Sequence, residues 1–249
     1  MHRFFVLPEM IKGSMIEIDK EQAHHIEKVL RLKPGASLVL FDGLGNEYIC
    51  KLHSHKDGLM LAEIEKQYFL SNEPSTKVIL AQAIAKGEKM DYVIQKAVEI
   101  GVTTIIPFLS ERTVVTLTDQ KAAQKITRWQ TIAREACKQS RRNVIPEVKP
   151  VMIFQQLITS LQHDQFAIML YEGEEQIGLK DVLKKHKGDL LRQSITIIVG
   201  PEGGFSAAES RLAQDNSIKL VTLGSRILRT ETAGLVAASI LLYEGGDLG

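Results

Sequence analysis

The most constraining stretch of this 249-residue chain is a short apolar run that ends in a glycine-rich loop. Ile195–Val199 is entirely β-branched, as is typical of a strand covered on both faces of a sheet. Gly200-Pro-Glu-Gly-Gly204 cannot continue that strand, because proline lacks an N–H and glycine permits positive φ. Ser206 then stands three residues before Glu209, the spacing of a capping box, so a helix is expected there. Such a strand, loop and helix start either holds a ligand on main-chain N–H groups or makes a tight turn.

The residues around this stretch alternate between strand-like and helical patterns. The predicted strands are 77–83, 103–108, 166–171, 195–199 and 219–223, and the predicted helices are 86–100, 119–139, 154–161, 179–187, 207–214 and 231–243. In the first helix Met90, Val93, Ile94, Ala97 and Val98 should point inward, with Gly101 as its end. The alternation predicts an α/β domain with a mostly parallel sheet.

The N-terminal part of the chain has a different pattern. Short strands are predicted at 2–7, 15–18, 37–42, 47–53 and 58–66, with a helix at 21–31 that Asp19 can cap. This spacing indicates a small β-barrel over residues 1–71, and the polar, proline-containing segment 71–76 predicts a linker to a second domain over 72–249. His24 and His25 point apart on a helix, and His53 and His55 lack a second ligand type nearby, so no metal site is expected.

Composition bounds the class of protein. No run of about 18 apolar residues predicts a membrane span, and the apolar start is too short for a signal peptide. The two cysteines are far apart, as in a protein of the reducing cytoplasm. The net charge of +1 gives no basic character to the chain as a whole, so any site for a polyanion must be local.

The segment Lys121–Lys149 carries eight Lys/Arg residues, of which Arg134, Lys138 and Arg141 follow helical spacing. This helix face is either solvated or in contact with phosphates. Trp129 is expected in the core.

A second glycine loop follows the first by about 23 residues. Gly224 ends a strand, and Thr230 or Thr232 can cap the next helix. That helix is apolar nearly all round, so its own domain or a partner subunit must bury it. Two such loops at adjacent strand ends predict a cleft.

At these two loops the sequence resembles the SPOUT methyltransferases, and more narrowly the bacterial enzymes that methylate N3 of a uridine, of the uridine-1498 type, in 16S ribosomal RNA. The resemblance is carried by Gly200-Pro-Glu-Gly-Gly-Phe-Ser206 and by Leu223-Gly-Ser-Arg-Ile-Leu-Arg-Thr-Glu-Thr-Ala233. Further similar segments are His24-His25, Val29–Arg31, Lys86–Asp91, Gln95-Lys96, Glu99–Gly101, Ser110–Arg112 and Gly246–Gly249.

The resemblance implies a fold that periodicity does not predict. The α/β domain would carry a C-terminal trefoil knot, and the N-terminal barrel would be PUA-like and hold RNA. The protein would be a cytoplasmic homodimer that acts on 16S ribosomal RNA of the small subunit, with no metal and no membrane association. Its cofactor would be S-adenosylmethionine, bound in a bent form. The carried-over cofactor residues are Leu170, Tyr171, Glu172, Val199, Gly200, Pro201, Glu202, Gly203, Leu223, Gly224, Ile227, Leu228, Arg229, Thr232 and Ala233.

The chemistry of uridine N3 suggests the catalytic residues. N3 becomes nucleophilic only when its proton leaves, and the resulting charge spreads to O2 and O4. Arg229 is the first candidate for the stabilising cation and Arg226 the second, whereas Arg229 could instead pin the loop. Glu231 is the candidate base, although it could cap the helix or bind the cofactor. The candidate RNA contacts are Arg3, His25, Arg31, Lys86, Arg112, Arg134, Lys138, Arg141 and Arg142.

Three other functions compete with this hypothesis. Methylation of a ribose 2′-hydroxyl would leave the protein in the same superfamily, but it is disfavoured by the sequence of the Leu223–Ala233 motif and by the N-terminal barrel. A non-catalytic RNA-binding assembly protein is disfavoured by the intact glycine loops. A nicotinamide-dependent oxidoreductase would need a GxGxxG after its first strand.

Overall fold

A computed structural model describes residues 1–53, 59–69, 72–115, 117–161, 166–173, 177–186 and 193–248. The chain forms two compact units. The first contains Met1–Glu73 together with Cys137–Ile145, and the second contains Pro74–Ala136 and Pro146–Gly249. His55 and Ser71, which the sequence analysis considered, lie outside the described residues.

The first unit is a six-stranded sheet. Its strands are β1 (Arg3–Phe5), β2 (Ile11–Lys12), β3 (Met15–Ile18), β4 (Ser37–Phe41), β5 (Asn46–Leu52) and β6 (Met60–Phe69), in the order β1-β4-β5-β6-β3-β2. Only the β1–β4 pair among them is parallel. The predicted helix is present as α1 (Lys20–His24), continued by a π-helical turn over His25–Val29, and Asp19 caps it by accepting a hydrogen bond from the Gln22 amide. Alternate apolar residues of these elements form one buried core.

Segment 137–145 is held to this unit by half-buried Arg3 and buried Arg142. The Arg3 guanidinium donates to the carbonyls of Cys137 and Arg142 and to the Asn143 side chain, and it pairs with Glu47 at 3.2 Å. Arg142 is buried, and its Nε donates to both carboxylate oxygens of Glu73. Because both guanidinium groups donate to acceptors inside the protein, these side chains have a structural role.

The second unit is a parallel sheet, as predicted. Its strands are β7 (Val78–Ala83), β8 (Thr104–Leu109), β9 (Glu147–Val148), β10 (Met152–Ile153), β11 (Phe166–Leu170), β12 (Ile195–Val199) and β13 (Lys219–Val221). They follow the order β10-β8-β7-β12-β11-β13, and β9 also pairs with β8. Every residue of β12 is buried, which confirms the strand predicted from its β-branched run.

Six helices accompany this sheet among the described residues: α2 (Lys89–Ile100), α3 (Asp119–Ser140), α4 (Phe154–Ser160), α5 (Leu179–His186), α6 (Ala207–Asp215) and α7 (Thr230–Glu244). The five inward residues predicted for α2 are its buried residues, and Gly101 caps it at φ +124°. Helix α7 packs against α2, β7 and β12. Its Ile240 and Tyr243 side chains nevertheless remain 37% and 66% exposed. No described helix is long and apolar enough to cross a membrane.

Helix α3 corrects one prediction and confirms another. It ends at Ser140, and Arg141 adopts a left-handed backbone conformation with φ +62°. Arg141 therefore does not continue the helical row of Arg134 and Lys138, because a left-handed residue ends the α-helix. Trp129 is buried as predicted, and its indole N–H donates to Asp91 at 3.0 Å.

Asp247 fixes the C-terminal end of the second unit. Its carboxylate accepts hydrogen bonds from the amides of Ser75 and Thr76 and from the Ser75 hydroxyl, at 2.7–3.0 Å. Partial burial acts to raise the pKa of Asp247, but these hydrogen bonds outweigh it and hold the pKa below its usual value. A carboxyl group with a lowered pKa stabilises the fold above the pKa of the unfolded chain, which is about 3.9.

We expect Asp247→Asn to lower the free energy of unfolding by about 1 kcal/mol at neutral pH, because the amide loses the charge-assisted bonds. The difference from wild type should vanish as pH falls through the folded pKa of Asp247, where the wild-type carboxylate is protonated too. Urea titrations from pH 7 to about pH 3 measure it. Asp215→Asn, at an exposed carboxylate on α6, is the control. A destabilisation of Asp247→Asn that persists unchanged in acid would contradict the role of the charge.

Candidate functional site

A cleft of about 980 Å³ lies at the carboxyl ends of β11, β12 and β13. Three chain segments line it: Leu170–Gly173 after β11, Val199–Phe205 after β12, and Val221–Glu231 after β13. The carboxyl ends of parallel strands are where α/β sheets bind ligands, because their loops meet there. The predicted cleft between the two glycine loops is therefore present in the second unit.

The first glycine loop is shaped by its glycines and anchored by Glu209. A side chain at Gly200 would place a Cβ 2.9 Å from the Phe205 ring, and Gly204 adopts φ +65°. Ser206 and Glu209 form the predicted capping box at the start of α6. The Glu209 carboxylate also accepts hydrogen bonds from the Ser110 hydroxyl and the Glu111 amide. The loop is thus fixed at both ends, with its bare backbone on the cleft.

The second loop presents its basic residues openly. The Arg229 side chain is 83% exposed, and its Nη1 lies 4.0 Å from the Glu231 carboxylate. This exposure argues against the alternative that Arg229 is a buried side chain that only holds the loop in place. Arg229 is the N-cap of α7 and caps through its backbone alone, so the predicted caps at Thr230 and Thr232 are wrong. The Thr230 hydroxyl instead donates to the Gly200 carbonyl at 2.6 Å, which joins the two loops.

Sequence reasoning missed Lys89, the first residue of α2. Its ammonium lies 3.1 Å from Glu202 in the first loop and 3.4 Å from Glu231 in the second. The Glu202 hydrogen bond, aided by Glu231, raises the pKa of Lys89 above its ordinary value. Although the Glu231 Oε2 atom lies within ion-pair distance of Lys89, it accepts no well-formed hydrogen bond from any described residue. Lys89 belongs to the family-like segment Lys86–Asp91, which was the only signal for it.

The structure brings the predicted cofactor residues together with one exception. All of them line the cleft except Thr232, which is exposed and lies outside its lining. The candidate catalytic residues Arg226, Arg229 and Glu231 line it too. Glu202 also lines it, and its carboxylate accepts a hydrogen bond from the Lys86 amide and pairs with Lys89.

The candidate RNA contacts divide into exposed and engaged side chains. His25, Arg31, Lys86, Arg112 and Arg141 are exposed. The Arg112 guanidinium donates to the Gly203 carbonyl at 3.0 Å and also lines the cleft. Lys138 is half-buried, with its ammonium 5.0 Å from the centre of the Phe4 ring, and Arg134 is half-buried as well.

Arg3 and Arg142 are corrected by the structure. They were predicted as RNA contacts, but each is directed into the first unit, where Glu47 and Glu73 neutralise them. The sequence alone could not separate them from surface arginines, because their acidic partners are distant along the chain.

Cysteine and metal chemistry have little support among the described residues. Burial raises the pKa of the Cys50 and Cys137 thiols to about 12, so neither is a thiolate nucleophile at neutral pH. The described part of the chain contains no group of three His, Cys, Asp or Glu residues arranged to hold a metal ion.

Known proteins resemble this chain over its whole length. Residues 71–242 match the model of an RNA methyltransferase domain, and residues 18–65 match an RNA methyltransferase PUA domain. Ribosomal RNA small subunit methyltransferase E of Bacillus subtilis is 37% identical over 98% of this chain and 97% of its own length. The protein of that name from Neisseria gonorrhoeae, solved bound to S-adenosylmethionine, aligns with a TM-score of 0.85 and 33% identity over 96% of both chains. A Legionella pneumophila structure with the same bound cofactor aligns at 0.84, with 33% identity over 96% of both chains.

Proposed function

The chain belongs to the RNA methyltransferase family of ribosomal RNA small subunit methyltransferase E, and from that premise we propose that it methylates N3 of one uridine in 16S ribosomal RNA. The methyl donor is S-adenosylmethionine. The observation that carries this proposal is the cleft at the ends of β11, β12 and β13, where the two glycine loops meet exposed Arg229 and half-buried Glu231.

The residues of the cleft suit this cofactor. Gly200 and Gly203 bring bare backbone to its wall, and a Cβ at either would meet Phe205 or Arg112 within 3.3 Å. The carboxylates of Glu202 and Glu231 offer negative charge toward a ligand that carries a sulfonium and an ammonium group. Leu170 and Val199 supply apolar surface for an adenine ring.

The side chains of the second loop can perform the proton and charge work. S-adenosylmethionine, when bound, supplies an activated methyl group. Arg229 stabilises the negative charge on the uracil oxygens as N3 loses its proton, with Arg226 as the second cation. Glu231 accepts that proton, directly or through a water molecule. Lys89 and Arg229 flank Glu231 beside the cleft.

RNA recognition is assigned to the exposed basic residues of each unit. In the first unit these are His25, Arg31 and Arg141, with half-buried Lys138, and in the second they are Lys86 and Arg112, with half-buried Arg134. Cations of this kind bind phosphates and make affinity depend on salt. A base whose ring nitrogen reacts must leave its stack, so we propose an unpaired or flipped uridine of the uridine-1498 type as substrate.

We also propose that the protein is a homodimer with a C-terminal knot and acts with the ribosome in the cytoplasm. The exposed Ile240 and Tyr243 side chains on an otherwise apolar α7 favour a partner surface there. Strand β13 lies beside β11, whereas α7 packs on β7 and β12. The chain between β13 and α7 therefore crosses over the ends of the strands, and this path favours the proposed knot.

Calorimetric titration with S-adenosylmethionine, followed by transfer of a labelled methyl group into small-subunit ribosomal RNA, tests this function. We expect saturable binding and label in the RNA. Absence of measurable binding would contradict both methyltransferase hypotheses, methylation of uridine N3 and methylation of a ribose 2′-hydroxyl. It would favour a non-catalytic RNA-binding protein.

A further inference from the structure

A buried amide, Gln82, lies directly behind the cleft and outside its lining. Gln82 occupies the carboxyl end of β7, where it pairs with Val199, the last residue of β12, and with Pro107 of β8. Its side chain is fully buried. A buried polar side chain in an otherwise apolar sheet is unfavourable unless its hydrogen bonds are made, so its position calls for a reason.

The hydrogen bonds of the Gln82 amide nitrogen link it, through Thr230, to the first glycine loop. Its Nε2 donates to the Ala83 carbonyl at 3.2 Å and to the Thr230 hydroxyl at 2.9 Å. Because a carbonyl can only accept, the amide nitrogen must face Ala83 and therefore Thr230. The Thr230 proton is then free for the Gly200 carbonyl, 2.6 Å away. Gln82 thus fixes the orientation of the Thr230 hydroxyl, and Thr230 fixes the Gly200 peptide.

The carbonyl oxygen of the Gln82 side chain indicates that Gln82 does not serve mainly to stabilise the fold. The Oε1 atom is buried and accepts no hydrogen bond from any residue that the structure describes. Helix α7 lies close above it, because a Cβ at Gly234 would stand 3.4 Å from Oε1 and 2.9 Å from Leu80 Cδ1. An unsatisfied buried acceptor destabilises the fold, so an apolar side chain of similar shape would be tolerated at this position.

We propose that Gln82 is a positioning residue for the methyl donor. It acts through Thr230 to hold the Gly200 carbonyl and so keeps the two glycine loops at the spacing that the cofactor requires. The inference rests on the proposed function of the cleft. It predicts that loss of this hydrogen-bonded relay, from Gln82 through Thr230 to Gly200, weakens cofactor binding more than it lowers the stability of the fold.

Three substitutions in the full-length protein test the relay. Gln82→Met keeps the length of the side chain and removes its donor, Thr230→Val keeps the shape and removes the hydroxyl, and Thr230→Ser keeps the hydroxyl. We expect Gln82→Met and Thr230→Val to raise the Kd and KM for S-adenosylmethionine about tenfold, the equivalent of one lost net hydrogen bond. kcat with saturating donor should change less than about threefold, and Tm by only a few degrees. Thr230→Ser should restore the wild-type KM.

The outcomes separate the relay from a structural role and from the function itself. A lower Tm with an unchanged Kd would make Gln82 a structural residue and overturn the proposal, as would wild-type values of both. Should Gln82→Met fail to fold, an equal KM for Thr230→Val and Thr230→Ser would overturn it as well. Wild-type protein that binds no S-adenosylmethionine in the same titration would contradict the proposed function instead.

Discussion

Arg229→Ala should lower kcat by about 10²–10³-fold, the usual effect of removing one group that stabilises a developing anion. The Arg229 side chain is 83% exposed, and it takes part in capping α7 only through its backbone. Its removal should therefore leave Tm and the mass of the protein in solution within error of wild type. Single-turnover methylation with saturating RNA and cofactor measures the chemical step.

Two arginines serve as references for this experiment. Arg226→Ala removes the second cation of the same loop and ranks the two candidates. Arg211→Ala removes an equally charged, exposed residue on α6 that does not line the cleft. We expect Arg211→Ala to turn over at the wild-type rate. Wild-type turnover in Arg229→Ala would remove Arg229 from the mechanism.

Arg142→Met should destabilise the protein by about 3–5 kcal/mol, because it leaves the Glu73 carboxylate uncompensated. The two side chains are 5% and 15% exposed, and Glu73 also accepts from the Val144 amide. Urea denaturation measures the change. Lys12→Met is the matched control, since the Lys12 side chain of the Lys12–Glu17 pair is 62% exposed and its loss should cost less than about 1 kcal/mol.

A double variant separates the charge from the shape of this pair. Replacement of both Arg142 and Glu73 by Met should recover most of the lost stability, because no unpaired charge is left in the interior. Wild-type stability in Arg142→Met, together with weaker RNA binding, would restore Arg142 as an RNA contact and contradict the assignment made from its burial.

The sequence predicted those features that local chemistry decides. The β-branched run of β12, the capping box of α6, the inward face of α2 and the parallel sheet all follow from short-range pattern. The cleft followed from two glycine loops at adjacent strand ends. For these elements propensity, periodicity and capping agree with one another, which is why they could be predicted.

Contacts between residues distant along the chain could not be predicted. Lys89 meets Glu202 and Glu231 only because α2 starts beside both loops, and Gln82 reaches Thr230 across 148 positions. Arg3 and Arg142 have the same side chain as surface arginines and differ from them only in the carboxylates that folding brings near. The backbone of Arg141 turned out left-handed, which helical spacing could not reveal.

The most direct test of the central claim is the identity of the methylated nucleoside. Ribosomal RNA from a strain that lacks this gene is treated with the purified protein and S-adenosylmethionine, digested to nucleosides and analysed by mass spectrometry against synthetic standards. We predict one new modified nucleoside, 3-methyluridine, in 16S ribosomal RNA, and far less of it with Arg229→Ala after the same incubation time. A methyl group on the ribose 2′-oxygen would contradict this account.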